Sequence, residues 1–280
     1  MSKSIYDILN KKINYKNEYR KIKKMFLEEK FINLNYHGNY TYVEVFNHFI
    51  TKWKYRGTKC SLYEIMKELE TETNYGKNPI NDCLYLCELI LGIRKFLCFM
   101  QTNNCSYCGL YIAEIEDSML VGNISYILQE LGYNTHIEEE YKVILIKNNT
   151  DAINTATIID NKNIESLIIN YNDFKISNNI NDKQKILFEL AKFLEPKRTA
   201  LRKINSKLES DLFMVFNKLN IRHNNKDGNK KEKYISDLND IELLKWYDET
   251  YNLVLIAIRL LELDNLLEPF ERLRKEVFNS

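Results

Sequence analysis

Glycine and proline are scarce, with 8 and 3 among 280 residues. A many-stranded, turn-rich β fold draws heavily on both, as do long flexible linkers, so the shortage argues against either. Long apolar runs are missing too. No uninterrupted stretch reaches the roughly 18 residues that a membrane-spanning helix needs. The most apolar segment, 253–263, is broken by Arg259 and Glu262 and reads as a buried helix. Residues 1–12 lack the apolar core of a secretory signal, so a cytoplasmic location with six reduced cysteines is expected. No Walker-type or GxGxxG phosphate loop, GxSxG elbow or HExxH pair occurs. The corresponding nucleotide folds, serine hydrolases and zinc peptidases are therefore not expected, and no cofactor is implied.

What remains is an ordinary globular balance, 45% apolar and 28% charged. The chain is long enough for one large domain or two of average size. Its net charge of +1 conceals an uneven distribution. Residues 1–30 carry nine Lys/Arg against four Asp/Glu, and 197–233 carry eleven against four. By contrast, 234–280 carry five against ten. The basic segments, with Lys197, Arg198, Arg202, Lys203 and Lys207 in the second, fit a face that binds nucleic-acid phosphates. They fit equally a set of solvated helix faces balanced by acidic neighbours.

Hydrophobic spacing predicts a mainly α protein. Helices are expected at 4–30, 43–55 and 61–72, the last opened by Ser61 with Glu64 at capping-box spacing. Pro79 starts a long apolar helix to about 100, and another runs from about 110 to 131, where Gly132 stops it. Residues 133–137 and 141–147 read as a small hairpin, the clearest β signal. Short helices follow at 150–159 and 162–171, then an Asn-rich loop at 172–181 and a helix at 182–195. Leu201, Ile204, Leu208, Leu212, Val215 and Leu219 form one stripe over five turns. After a polar loop at 226–238, a last long helix aligns Leu244, Tyr247, Tyr251, Val254, Ile258 and Leu261, and a terminal helix covers 266–277. Three regions result: a helical part at 1–130, a small α/β insert at 131–180 and a C-terminal helical bundle at 181–280. A boundary is placed near 172–181.

The segment Asn220-Ile221-Arg222-His223-Asn224-Asn225 is where chemistry is most plausible. It sets a fixed cation, a titratable imidazole and two amides at the end of the striped helix. If the helices on either side of the loop are antiparallel, Arg222 and His223 approach Tyr247 and Asp248 near the next helix's start. Arg can clamp a phosphate through two parallel hydrogen bonds, and His can transfer a proton near neutral pH. The competing reading is structural. Arg and His complement the dipole of a last turn, Asn224 and Asn225 cap it, and Asp248 pairs with Arg222.

With Arg222 and His223 between two long helices, residues 182–265 resemble the HEPN superfamily of helical-bundle proteins. That superfamily includes many metal-independent ribonucleases of phage-defence and toxin systems. The resemblance implies that His223 would move the proton, that Arg222 would hold the phosphate, and that the site would form in a homodimer. Catalytic members place a His four to six residues after the Arg; here only the adjacent pair matches. The expectation is thus an RNA-acting, ribonuclease-like protein of a bacterial defence or toxin system. The alternative is a non-catalytic helical module that binds nucleic acid or a protein partner.

Cys105 and Cys108 form a CxxC pair compatible with half a zinc site, a redox pair or plain structural thiols. Cys83 and Cys87, at helical spacing among leucines, read as small core hydrophobes. His37, His48 and His136 have no partner at metal-ligand spacing, and no metal is expected.

Overall fold

The computed structural model describes residues 13–35, 38–106, 111–219, 221, 238–263, 270, 273, 274 and 276–278. It is mainly helical, at 71% helix, with small antiparallel sheets of two and three strands. The chain divides into two compact units, Met1–Leu145 and Ile146–Ser280. Among the described residues no helix is long and apolar enough to cross a membrane.

In the first unit, α1 (Tyr15–Glu28) opens at Asn14, whose side chain accepts from the Asn17 amide at 3.2 Å. Its buried face is Tyr19, Ile22, Met25 and Phe26. Two short strands, β1 (Ile32–Leu34) and β2 (Gly38–Tyr40), pair antiparallel, with Gly38 at φ 94°. They are followed by α2 (Tyr42–Phe49), two 3-10 turns and α3 (Leu62–Glu72). Thr41 and Glu44 form a reciprocal capping box on α2. At α3 the Ser61 side chain takes the Glu64 amide, but Glu64 reaches back one residue further than expected, to the Cys60 amide at 3.0 Å.

The central element of this unit is α4 (Pro79–Thr102). Asn78 caps it and Pro79 fills a first-turn position where a missing N–H costs nothing. Cys83, Cys87, Ile90, Ile93, Phe96 and Leu97 are each fully buried, so α4 is apolar on several sides and packs against α1. The sequence suggested helix from about 110; the chain instead forms β3 (Ile112–Ile115), which joins β1 to make a sheet ordered β2-β1-β3. The helix α5 begins only at Ser118 and ends at Leu131, where Gly132 adopts φ 72° and ψ 36°. The hairpin β4 (Tyr133–Glu139) and β5 (Lys142–Lys147) follows where the alternation placed it. Tyr141 is buried at its turn against Phe96 and Phe99 of α4, with ring centroids 5.1 and 5.5 Å away.

One buried carboxylate locks this core. Asp117 stands at the N-cap of α5 yet makes no cap bond. Its oxygens instead accept from Arg94 Nε at 2.6 Å, from Arg94 Nη2 at 3.2 Å and from the Tyr42 hydroxyl. Burial, then the bond to Asp117, pushes the Tyr42 phenol well above its ordinary pKa.

The second unit contains α6 (Thr150–Ile158), α7 (Lys162–Asn170), α8 (Ile180–Leu194), α9 (Arg198–Ile204), α10 (Ser206–Lys218) and α11 (Asp240–Leu261). The last of these is central and packs against α6, α8, α9 and α10. Tyr247, Tyr251, Val254, Leu255 and Ile258 supply its buried face. The stripe from Leu201 to Leu219 is not one helix. Asn205 takes extended torsions, φ −151° and ψ 95°, ends α9 and caps α10 by accepting from the Leu208 amide at 2.9 Å. In consequence Ile204 is exposed, and the buried face of α10 is Leu212, Phe213 and Phe216.

Candidate nucleic-acid interface

Arg222, His223, Asn224 and Asn225 lie outside the described residues, as do Cys108 and His37. Their proposed neighbours on α11 are described, and they diverge. Tyr247 is buried, and its hydroxyl donates to the Leu219 carbonyl at 3.4 Å. Burial pushes that phenol up to about 12. Asp248 is the next residue on the helix, so its side chain leaves at about 100° to that of Tyr247. Its Oδ1 accepts from Lys183 Nζ at 2.5 Å and from the Tyr171 hydroxyl at 3.0 Å.

Behind this pair lies a layered polar network. The Lys183 side chain is only 6% exposed, against 54% for Asp248, so the ammonium is the buried partner. It also sits 5.0 Å from the centroid of the Tyr171 ring. That ring stacks on Tyr251 at 3.9 Å, with planes 11° apart. The Tyr251 hydroxyl donates to the Ile168 carbonyl and accepts from Asn172 Nδ2. Burial raises both phenols, and for Tyr171 the Asp248 charge adds to it. Neither phenol is therefore an acid near neutral pH.

The basic residues of 197–207 are brought together more closely. Arg198 and Arg202 stand one turn apart on α9, and both bond Glu209 of α10. Arg202 donates through Nε and Nη2, each at 2.9 Å, and Arg198 through Nε. The Glu209 side chain is 3% exposed, whereas those of Arg198 and Arg202 are 39% and 58% exposed. The bonds from Arg202 and then Arg198 hold its carboxyl down at about 2, so it is an anion at any physiological pH. The Arg198 guanidinium also lies 4.5 Å from the Phe213 ring centroid. Lys197 reaches Glu262 at 3.9 Å and the Phe193 ring at 3.8 Å. Lys203 and Lys207 are exposed on the neighbouring turns.

Comparison with family models, with curated proteins and with solved structures finds no match.

Three residues outside the sequence reading thus organise what it selected. Lys183 and Tyr171 are 65 and 77 positions from Asp248, and no local spacing announces either contact. Glu209 did leave a signal. It precedes Leu212, Phe213 and Phe216 by three, four and seven residues, which puts a carboxylate on the apolar face of α10. A charge in that position requires a partner, and Arg198 and Arg202 are among the four cations in the eleven residues upstream. Among the described residues no group of three or more His, Cys, Asp or Glu side chains could hold a metal ion.

Proposed function

We propose that the chain is a helical RNA-binding module that grips the phosphate backbone along α9 and α10. The observation that supports this is the single buried carboxylate shared by two arginines. Two positive charges over one negative leave a net cation at the surface. Glu209 holds both guanidiniums from beneath and Phe213 lies under that of Arg198, so little side-chain freedom is lost when a phosphate arrives. Glu209 engages only Nε of Arg198, which leaves both of its Nη groups for a phosphate oxygen. Exposed Lys203 and Lys207 extend the ridge. The choice of RNA rests on the likeness of 182–265 to the HEPN superfamily, and with it comes the expectation of a homodimer.

Binding of labelled single-stranded RNA, followed by fluorescence anisotropy over a range of salt, tests the proposal. Affinity falls steeply with salt, and Arg198→Ala with Arg202→Ala lowers the slope by about 1.4, roughly 0.7 per lost phosphate contact. A double variant that binds as tightly as the parent, with the same slope, refutes the ridge. Cleavage by Arg222 and His223 is a separate arm: metal-free incubation of RNA with the parent, Arg222→Ala and His223→Ala. Cleavage lost in both variants adds a ribonuclease to the binding module. Binding without cleavage favours the non-catalytic module.

A further inference from the structure

A pocket of about 370 Å³ lies within the first unit, walled by α1, α2 and α3. Leu27, Val43, Leu62 and Met66 form its apolar side. Tyr63 also lines it while remaining 73% exposed, which places the ring at the opening. The polar side holds three charges. Lys23 Nζ and Glu70 Oε1 pair at 2.6 Å, and the Tyr19 hydroxyl donates to the same oxygen at 3.1 Å. That pair is electrically neutral as it stands. The third charge, Lys67, has no ionic or hydrogen-bonding side-chain partner among the described residues. The lining therefore has a greasy body and one uncompensated ammonium.

The volume sets the class of occupant. It falls at the small end of the roughly 300–1,000 Å³ typical of small-molecule sites. It is also less than one turn of a partner helix, which is about 10 Å wide and 5.4 Å tall. An apolar body complements Leu27, Val43, Leu62 and Met66, and a single negative head complements Lys67. A cationic head would meet Lys23 and Lys67 with only Glu70, already doubly bonded, to receive it. We propose that the pocket binds a medium-chain aliphatic carboxylate, with its tail among the apolar walls and its carboxylate on Lys67.

Calorimetric titration of the full chain with decanoate, below its micelle concentration, tests this. Decyltrimethylammonium and decanol serve as probes of the same tail with a positive and a neutral head. The expected result is saturable decanoate binding that is at least fivefold tighter than either control. Lys67→Gln, at an exposed position that leaves the core untouched, weakens decanoate by about fivefold, the scale of one exposed charge pair. The same substitution leaves decanol unchanged. Met66→Trp fills the pocket and abolishes binding of all three; if that variant does not fold, Lys67→Gln decides alone. Equal affinity for the three heads, indifference to Lys67→Gln, or no saturable decanoate binding each overturns the proposal.

Discussion

In the first unit the buried carboxylate Asp117 meets one guanidinium and one phenol; in the second, Glu209 meets two guanidiniums. Both anions are nearly inaccessible to water, and both draw their arginines from helices close in sequence. The sums differ. Around Asp117 the charges cancel, and the neutral Tyr42 hydroxyl completes the oxygen's coordination, so the cluster ties α2, α4 and the start of α5 into one core. Around Glu209 the charges do not cancel, and the arginines stay half exposed. The same chemical device thus acts as an internal tie in one unit and as a support for surface charge in the other. The number of guanidiniums on the anion, rather than its burial, decides which, since the Arg94 and Arg198 side chains are exposed to similar degrees, 33% and 39%.

The largest effect expected from disturbing this contrast is at Asp117. Asp117→Ala leaves Arg94 and Tyr42 without their shared acceptor and costs about 3 kcal/mol, at the low end for a broken buried pair because Arg94 is partly hydrated. Chemical denaturation gives the size, and hydrogen exchange confined to α2, α4 and α5 gives the place. Asp248→Ala comes next, at about 2 kcal/mol, since it strands the buried ammonium of Lys183. Adding Lys183→Met recovers most of that loss; a double variant as unstable as the single would mean that packing around Asp248, not charge, was lost. Glu209→Gln costs about 1 kcal/mol, because water takes over two half-exposed guanidiniums. That variant also sharpens the functional comparison. It raises the net charge by one, so binding governed by charge alone tightens, whereas binding that needs the arginines held in place weakens.

A further effect is in pH. Glu209 has a folded pKa of about 2 against an ordinary 4.5. The stability its carboxylate contributes is full above about pH 4.5 and is lost as pH falls toward about 2. Urea midpoints of the second unit drop through that window in the parent and drop less in Glu209→Gln. A parallel decline in both would assign acid sensitivity to other carboxylates.

The long elements were legible because each carried both a period and a terminator. Pro79 marked the start of α4, Gly132 the end of α5, and the apolar, mostly β-branched run 143–146 the second hairpin strand. The misses have physical causes too. Ile112 and Ile115 are spaced as on a helix face, so the short strand that completes the three-stranded sheet was invisible without its partner Ile32. The break at Asn205 was hidden because Leu201, Leu208 and Leu212 keep helical spacing across it. A lone Asn among good helix formers costs too little to be noticed. At the site, the basic residues were legible by charge, but their common partner was not sought on an apolar face.

That unnoticed Asn205 governs more than a boundary. In one unbroken helix, Arg198 and Glu209 would be eleven residues and about 16.5 Å apart along the axis, beyond the reach of a bond. The break lets the chain turn, so that about three turns of separation collapse into direct contact. A single backbone torsion therefore decides whether this stretch is a rod with its charges strung along it or a folded elbow that carries them as one tight cluster. The electrostatic face of the second unit is written in conformation as much as in composition.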